Sequence, residues 1–454
     1  MLKFFGQFIS CLLLCGYFAP TTAAQGGTPY TSYMTGDTAN VNTLAQGGIC
    51  LMGGATENDS AMVWFLRRAA GGDVVVLRAS GSNGYNDYMY SELGISVNSV
   101  QTLVVNSLAA ANHPYIAQQV SRAEAIWIAG GDQANYINYW RNSPVEVAIH
   151  NALNNQKAVI GGTSAGMAVL GSAYFSALNG SVTSAEMLAN PYNTYATLGH
   201  DDFISLSSLK NTICDTHYDD PDRRARHIGF LARMATDWQI IPYGIACEEY
   251  TAVCIDTTGI TRVFGNYPAN DDFAYFLQAN CDIAPNMPEV CVAGQPLTWL
   301  QGTAAVKVYK VPGTAIGSHT FDLNDWVTGS GGEWQHWYAN NGVFDVVTNS
   351  STLEVTAPDC NEVGINTAVT ALSIKCYPNP SKQNTTLLLP ETSADQVRVQ
   401  LYDYTGKCCL DTQLNTSKGR AVLPLDGFNK GMYIVHIYNA IRPITVHRTI
   451  LLVE

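Results

Sequence analysis

Three short apolar runs each end in a pair of glycines: Ile49-Cys50-Leu51-Met52 before Gly53-Gly54, Ile126-Trp127-Ile128-Ala129 before Gly130-Gly131, and Ala158-Val159-Ile160 before Gly161-Gly162. A run of about four residues that is apolar on both sides reads as a strand covered on both faces, and such strands belong to parallel sheets flanked by helices. Val74-Val75-Val76-Leu77 and Val100 to Val105 are further strands, and Ser60 to Ala70 has helical periodicity that Gly71-Gly72 stops. Residues 47–270 are therefore predicted to form an α/β domain, a mainly parallel sheet sandwiched by helices. Its ligands are expected beyond the carboxyl ends of the strands.

The third glycine pair opens the most informative segment, Gly161-Gly162-Thr163-Ser164-Ala165-Gly166, followed by the helix-compatible run Met167-Ala168-Val169-Leu170. A serine in a tight turn between strand and helix has its hydroxyl lifted above the sheet, and small neighbours let the backbone turn and a substrate approach. The N–H of Ala165 then points at a developing oxyanion. The plainer reading is a tight turn or an anion-binding helix start. A serine hydroxyl needs a base, and histidine has a suitable ordinary pKa. Of the seven histidines between residues 25 and 400, His217 stands out, because Ile213-Cys214 ends a strand just before Asp215-Thr216-His217-Tyr218. A third group would orient the imidazole. Glu186, Asp201, Asp202 and Asp215 all lie between serine and histidine, and spacing leaves the four open. Gly130-Gly131-Asp132-Gln133 is a second glycine pair at a strand end, and it fits either a plain turn or a close backbone approach that supplies another oxyanion donor, with Gln133 holding the substrate. The basic patch Asp222-Arg223-Arg224-Ala225-Arg226 suits a carboxylate, which arginine binds in a two-pronged way. Glu248 and Glu249, which end another apolar strand, fit either a basic side chain or a structural pairing.

The rest of the chain changes character. Residues 271–356 are read as a β-rich extension, residues 357–370 as a linker, and residues 371–454 as a small antiparallel β-sandwich. Lys3, the apolar run Phe8 to Phe18 and the small residues Thr22-Ala23-Ala24 form a predicted signal peptide over residues 1–24. Export permits disulfides, and of the 12 cysteines, Cys281 and Cys291 form the best local pair. A net charge of −13 argues against nucleic acid or an anionic membrane as partner. No metal or cofactor is called for.

At these residues the sequence resembles the cyanophycinase-like branch of peptidase family S51, which also contains aspartyl dipeptidase. The stretches that carry the resemblance are Gly130 to Gln133, Gly161 to Gly166, Asp215 to Tyr218 and Gly244 to Val253. It implies a class I glutamine amidotransferase-like fold, with Ser164 as nucleophile, His217 as general base and Glu186 as the best match for the acid. Gly131 and Ala165 would form the oxyanion hole. Gln133, Thr163, Asp215, Thr216, Arg224 and Arg226 would contact the substrate. The implied reaction is hydrolysis of aspartyl peptide or β-aspartyl-arginine bonds through an acyl-enzyme. The tail, opened by Tyr377-Pro378-Asn379-Pro380, resembles a sorting domain of the type IX secretion system of Bacteroidetes. That implies the secretion machinery as a partner and a secreted or surface-attached protein. A homodimer is compatible with the chain. An amidase or esterase on the same sheet and an inactive secreted binding protein are the competing readings.

Overall fold

A computed structural model describes residues 27–283, 285–350, 355–358, 375–388, 396–402, 407–417, 420–439 and 447–453. The predicted signal peptide lies outside the described residues, as does all of the predicted linker after Pro358. Five of the strands expected from the apolar runs stand side by side and parallel, in the order Ser99–Val104, Asp73–Arg78, Ala125–Ile128, Val159–Thr163, Ile49–Met52. Their side chains alternate between two cores. Ile49 and Leu51 join one hydrophobic cluster, while Cys50 and Met52 join another. The second of these is closed by the helix Asp59–Arg68, which Asn58 caps through its side chain. Phe65 of that helix meets Trp127 edge to face at 5.2 Å. Burial of one such side chain contributes about 1.5–3 kcal/mol. The helices Gln133–Trp140 and Pro144–Asn151 cover the opposite face.

The expectation of a mainly parallel sheet holds only for these five strands. Thr31–Gly36 adds an antiparallel edge, and Ala252–Ile255, Ile260–Phe264, His319–Asp322 and Gly329–Ser330 extend the other side antiparallel, giving ten strands. The reason is connection length. Ala252–Ile255 and Ile260–Phe264 are joined by four residues, and so short a link cannot return a strand in parallel.

A second, eight-stranded mixed sheet packs against the first. Tyr243–Cys247 and Ala173–Phe175 flank Thr212–Asp215 in parallel, whereas Phe273–Ala279, Val306–Pro312, Glu333–Asn340 and Val343–Val347 follow antiparallel. Cys214, Ile245 and Phe276 face the first sheet's core, while Ile213, Ala246 and Leu277 face a core shared with the helix Arg224–Trp238. Residues 271–356 are therefore not an appendage. Their strands complete both sheets, and the expected boundary at residue 270 falls in the loop that carries the chain from Ile260–Phe264 in the first sheet to Phe273–Ala279 in the second. Cys281 is disulfide-bonded but Cys291 is a buried thiol, so the expected bond between them is absent.

In the C-terminal part, Lys375–Tyr377, Asn384–Leu388 and Arg420–Pro424 form one antiparallel sheet, and Cys408–Asn415, Gln396–Tyr402, Gly431–Asn439 and His447–Val453 form another. Leu387 and Leu423 from the first share a core with Val399, Leu401 and Val435 from the second.

Candidate active site

The strand Val159–Thr163 runs between Ile49–Met52 and Ala125–Ile128, with Thr163 opposite Met52 and Gly162 opposite Ile128. The residues just past these three carboxyl ends, Ser164, Gly53-Gly54 and Ala129-Gly130-Gly131, must therefore be neighbours. Ser164 has φ 53° and ψ −121° and precedes the four-residue helix Ala165–Ala168, shorter than the run after the serine suggested. A non-glycine residue at positive φ is strained, and such strain persists only where the surroundings enforce it. The glycines on either side of it are required by contact. A Cβ on Gly166 would lie 2.0 Å from the carbonyl oxygen of Ile128, and one on Gly162 would lie 2.5 Å from the carbonyl carbon of Gly166.

The imidazole beside Ser164 comes from the second sheet. His217 stands two residues beyond Thr212–Asp215, and its backbone N–H donates to the Gly53 carbonyl at 2.9 Å, tying the ends of the two sheets together. Its Nε2 accepts from the Ser164 hydroxyl at 2.8 Å. Its Nδ1 faces Glu249 Oε1 at 2.5 Å, which fixes the tautomer as Nδ1–H donating to the carboxylate. Gly54 packs against the imidazole, where a Cβ would come within 2.4 Å of Nε2.

Glu186, the acid expected beside His217, is not there. It forms a capping box on the helix Ser184–Ala189, its carboxylate accepting from the Thr183 N–H and hydroxyl at 2.9 Å each. Glu249 replaces it because of strand register. Thr212–Asp215 and Tyr243–Cys247 are parallel neighbours with Asp215 opposite Ala246. His217, two residues past one, and Glu249, three past the other, thus emerge together. The segment Gly244 to Val253 already carried the glutamate pair, but only the pairing of the two strands says which histidine it meets. Asp219 accepts from the Glu249 N–H at 2.9 Å and holds that loop against the one bearing His217.

Ser164 and His217 open on a cleft of about 610 Å³, whose lining includes Gly131, Gln133, Ala165, Thr216, Arg223 and Arg226. Gln133 sits at the start of a helix that Asp132 caps, and its amide reaches toward the Phe175 carbonyl at 3.5 Å. Arg226 reaches the cleft from a mostly buried position, and Asp215, Thr163 and Arg224 are not among its lining residues. Asp215 and Arg226 are buried and bound to each other, at 2.8 and 2.5 Å. Burial pushes the Asp215 carboxyl up, but the Arg226 guanidinium outweighs it and holds the group below its ordinary value. Removing one partner of so buried a pair costs about 3–5 kcal/mol. Thr163 is buried within its strand. Arg224 does not line the cleft and pairs with Asp222. Its neighbour Arg223 takes the place expected of it. Nη1 of Arg223 donates to the Thr216 carbonyl at 2.8 Å, and Nε is buried without a protein partner among the described residues. Burial, then repulsion from Arg226, lowers the Arg223 pKa.

Residues 80–263 match the model of peptidase family S51. Every segment that builds the site, except Gly53-Gly54, lies within them. Residues 375–451 match a secretion system C-terminal sorting domain. Two curated relatives, the cyanophycinases of Synechococcus elongatus and Thermosynechococcus vestitus (strain NIES-2133 / IAM M-273 / BP-1), are each 25% identical over 228 residues, which cover 48% of this chain and 66% of theirs. The match thus spans slightly under two thirds of these relatives. Among solved structures, a peptidase from an acI-B1 Actinobacterium aligns over 50% of this chain and 90% of its own, at 16% identity and a TM-score of 0.37.

Proposed function

We propose that this chain is a secreted serine peptidase that hydrolyses aspartyl peptide or β-aspartyl-arginine bonds through an acyl-enzyme. The observation that carries the reading is the continuous relay from the Ser164 hydroxyl through the His217 imidazole to the Glu249 carboxylate, set at a strained turn facing an open cleft. The peptidase family S51 match over the same residues supports it.

In this reading His217 Nε2 takes the Ser164 proton as the serine oxygen attacks the scissile carbonyl. Glu249 keeps the imidazole oriented and stabilises its cation. The backbone N–H groups of Ala165 and Gly131 receive the tetrahedral oxyanion. His217 then gives its proton to the leaving amine. Water, deprotonated by the same nitrogen, releases the acid and restores the serine. Arg223, with its unpartnered Nε, receives a carboxylate of the substrate. The glutamine amidotransferase-like arrangement belongs to the same proposal, as does delivery through a type IX secretion system, which the sorting-domain match supports.

The test is a panel of α-aspartyl peptides, β-linked aspartyl-arginine, general peptides and simple esters, with product masses read for wild type and Ser164→Ala. Cleavage of an aspartyl bond by the wild type alone is the expected result. Ester or amide turnover without aspartyl cleavage would favour the amidase reading, and wild-type rates in Ser164→Ala would refute the serine mechanism.

A further inference from the structure

Two buried thiols face each other directly beneath this site. Cys50 on Ile49–Met52 and Cys254 on Ala252–Ile255 are register partners in an antiparallel pair, and their sulfurs lie 3.6 Å apart. We infer that Cys50 and Cys254 are joined by a disulfide in the exported protein. Opposed residues of antiparallel strands have Cα atoms about 4.5 or 5.5 Å apart, according to the kind of pair. Both spacings fall within the range of about 4.4–6.8 Å that a disulfide accepts. Only side-chain rotation is needed to bring the sulfurs to bonding distance. Neither backbone has to move.

The other two thiols in this region lack that geometry. Cys214 is opposite Ile245, and Cys247 stands two residues further along the same strand, with its sulfur directed at the Leu51 carbonyl at 3.8 Å. The chain already holds one disulfide at Cys281 and carries a sorting-domain match, both consistent with a compartment where thiols oxidise. Bond formation removes two protons and two electrons from the pair, and these pass to an incoming disulfide, of a small molecule or of an oxidoreductase, which is reduced to two thiols. That exchange belongs to the folding chain. Once Ala61, Met62 and Phe65 of the helix Asp59–Arg68 cover the pair, both sulfurs are fully buried.

The placement has a consequence for the site. Three residues past Cys50 is Gly53, whose carbonyl holds the His217 backbone. Three residues before Cys254 is Thr251, whose carbonyl accepts from the Gly53 N–H at 3.0 Å. A bond at this point closes a loop between positions 204 apart in sequence, the long-loop case in which restriction of the unfolded chain is greatest.

The experiment is peptide mapping of wild-type protein in two preparations, one exported by cells and one refolded with oxidised glutathione. Each is unfolded, alkylated without reduction, digested and analysed by mass spectrometry. The expected result is a linked pair of peptides containing Cys50 and Cys254, lighter by two hydrogen atoms than the separate thiol peptides, with Cys214 and Cys247 alkylated. Alkylation of both Cys50 and Cys254 in the two preparations would overturn the inference, as would finding either of them bonded to a different cysteine.

Discussion

The strand-end positions of Ser164 and His217 are legible from local pattern, because a turn at the end of a strand is written in the few residues around it. The carboxylate that meets His217 is not legible in that way. Whether a carboxylate reaches His217 depends on which strand lies beside Thr212–Asp215, and that partner is 31 residues further along the chain (Asp215 to Ala246 in the register). A search confined to residues between serine and histidine passes over Glu249 and settles on Glu186, whose short-range partner is Thr183. The arginines divide for a similar reason. On the helix that begins at Arg224, consecutive residues point in different directions, so Arg226 is buried against Asp215 at the edge of the cleft, Arg224 turns to Asp222, and Arg223 before the helix lines the cleft. Replacing Glu249 by glutamine keeps the shape but removes the charge opposite the imidazolium. A fall in kcat of about 10⁴-fold is expected by analogy with the acid of other triads. Glu186→Gln should leave kcat unchanged and lower the melting temperature slightly through its helix cap. Steady-state kinetics on the pair of variants separates the two assignments.

At the scale of elements, the site hangs on what lies just beyond strand ends, and one buried acid there responds to pH. Glu248 follows Tyr243–Cys247 and accepts from the Phe273 N–H at 2.8 Å and the Tyr275 hydroxyl at 2.7 Å. Burial prevails over these donors and pushes its carboxyl up from 4.5 to about 7. The folded chain therefore binds this proton more tightly than the unfolded chain. The stability it contributes is fully present below about 4.5 and is lost as pH rises through about 7. Asp215 acts in the opposite sense. Its folded value is depressed, so its contribution is present above the ordinary carboxylate range and disappears only in stronger acid. Melting temperature measured between pH 4.5 and 8 should show a downward slope that flattens in Glu248→Gln; an unchanged slope would mean that another group titrates. The strands themselves were legible from their apolar runs. Their direction after residue 250 was not, because alternation of burial looks the same in parallel and antiparallel neighbours and only the short connections decide.

At the scale of the molecule, among the described residues the three clusters of the two-sheet body contain none beyond Val346, and the C-terminal cluster contains none before Cys376. Each part buries its own apolar surface. A chain ending at residue 374 should therefore keep the melting temperature of the body and the full hydrolytic rate, while losing delivery to the cell exterior. Calorimetry and fractionation of cells expressing the shortened chain would check both halves of the expectation. The antiparallel β character of the tail is legible from its strands alone, whereas for residues 271–356 the β-rich composition is legible but nothing in it reveals which sheet each strand completes.

The backbone bond from His217 to Gly53 bridges two sheets, so nucleophile and base belong to different layers and meet only when both have formed and docked. A chain still in transit, or one with a single layer assembled, has neither half of its chemistry in working order. If the proposed serine mechanism holds, its two partners come together only at the last stage of assembly, and activity would serve as a direct readout of docking between the two layers.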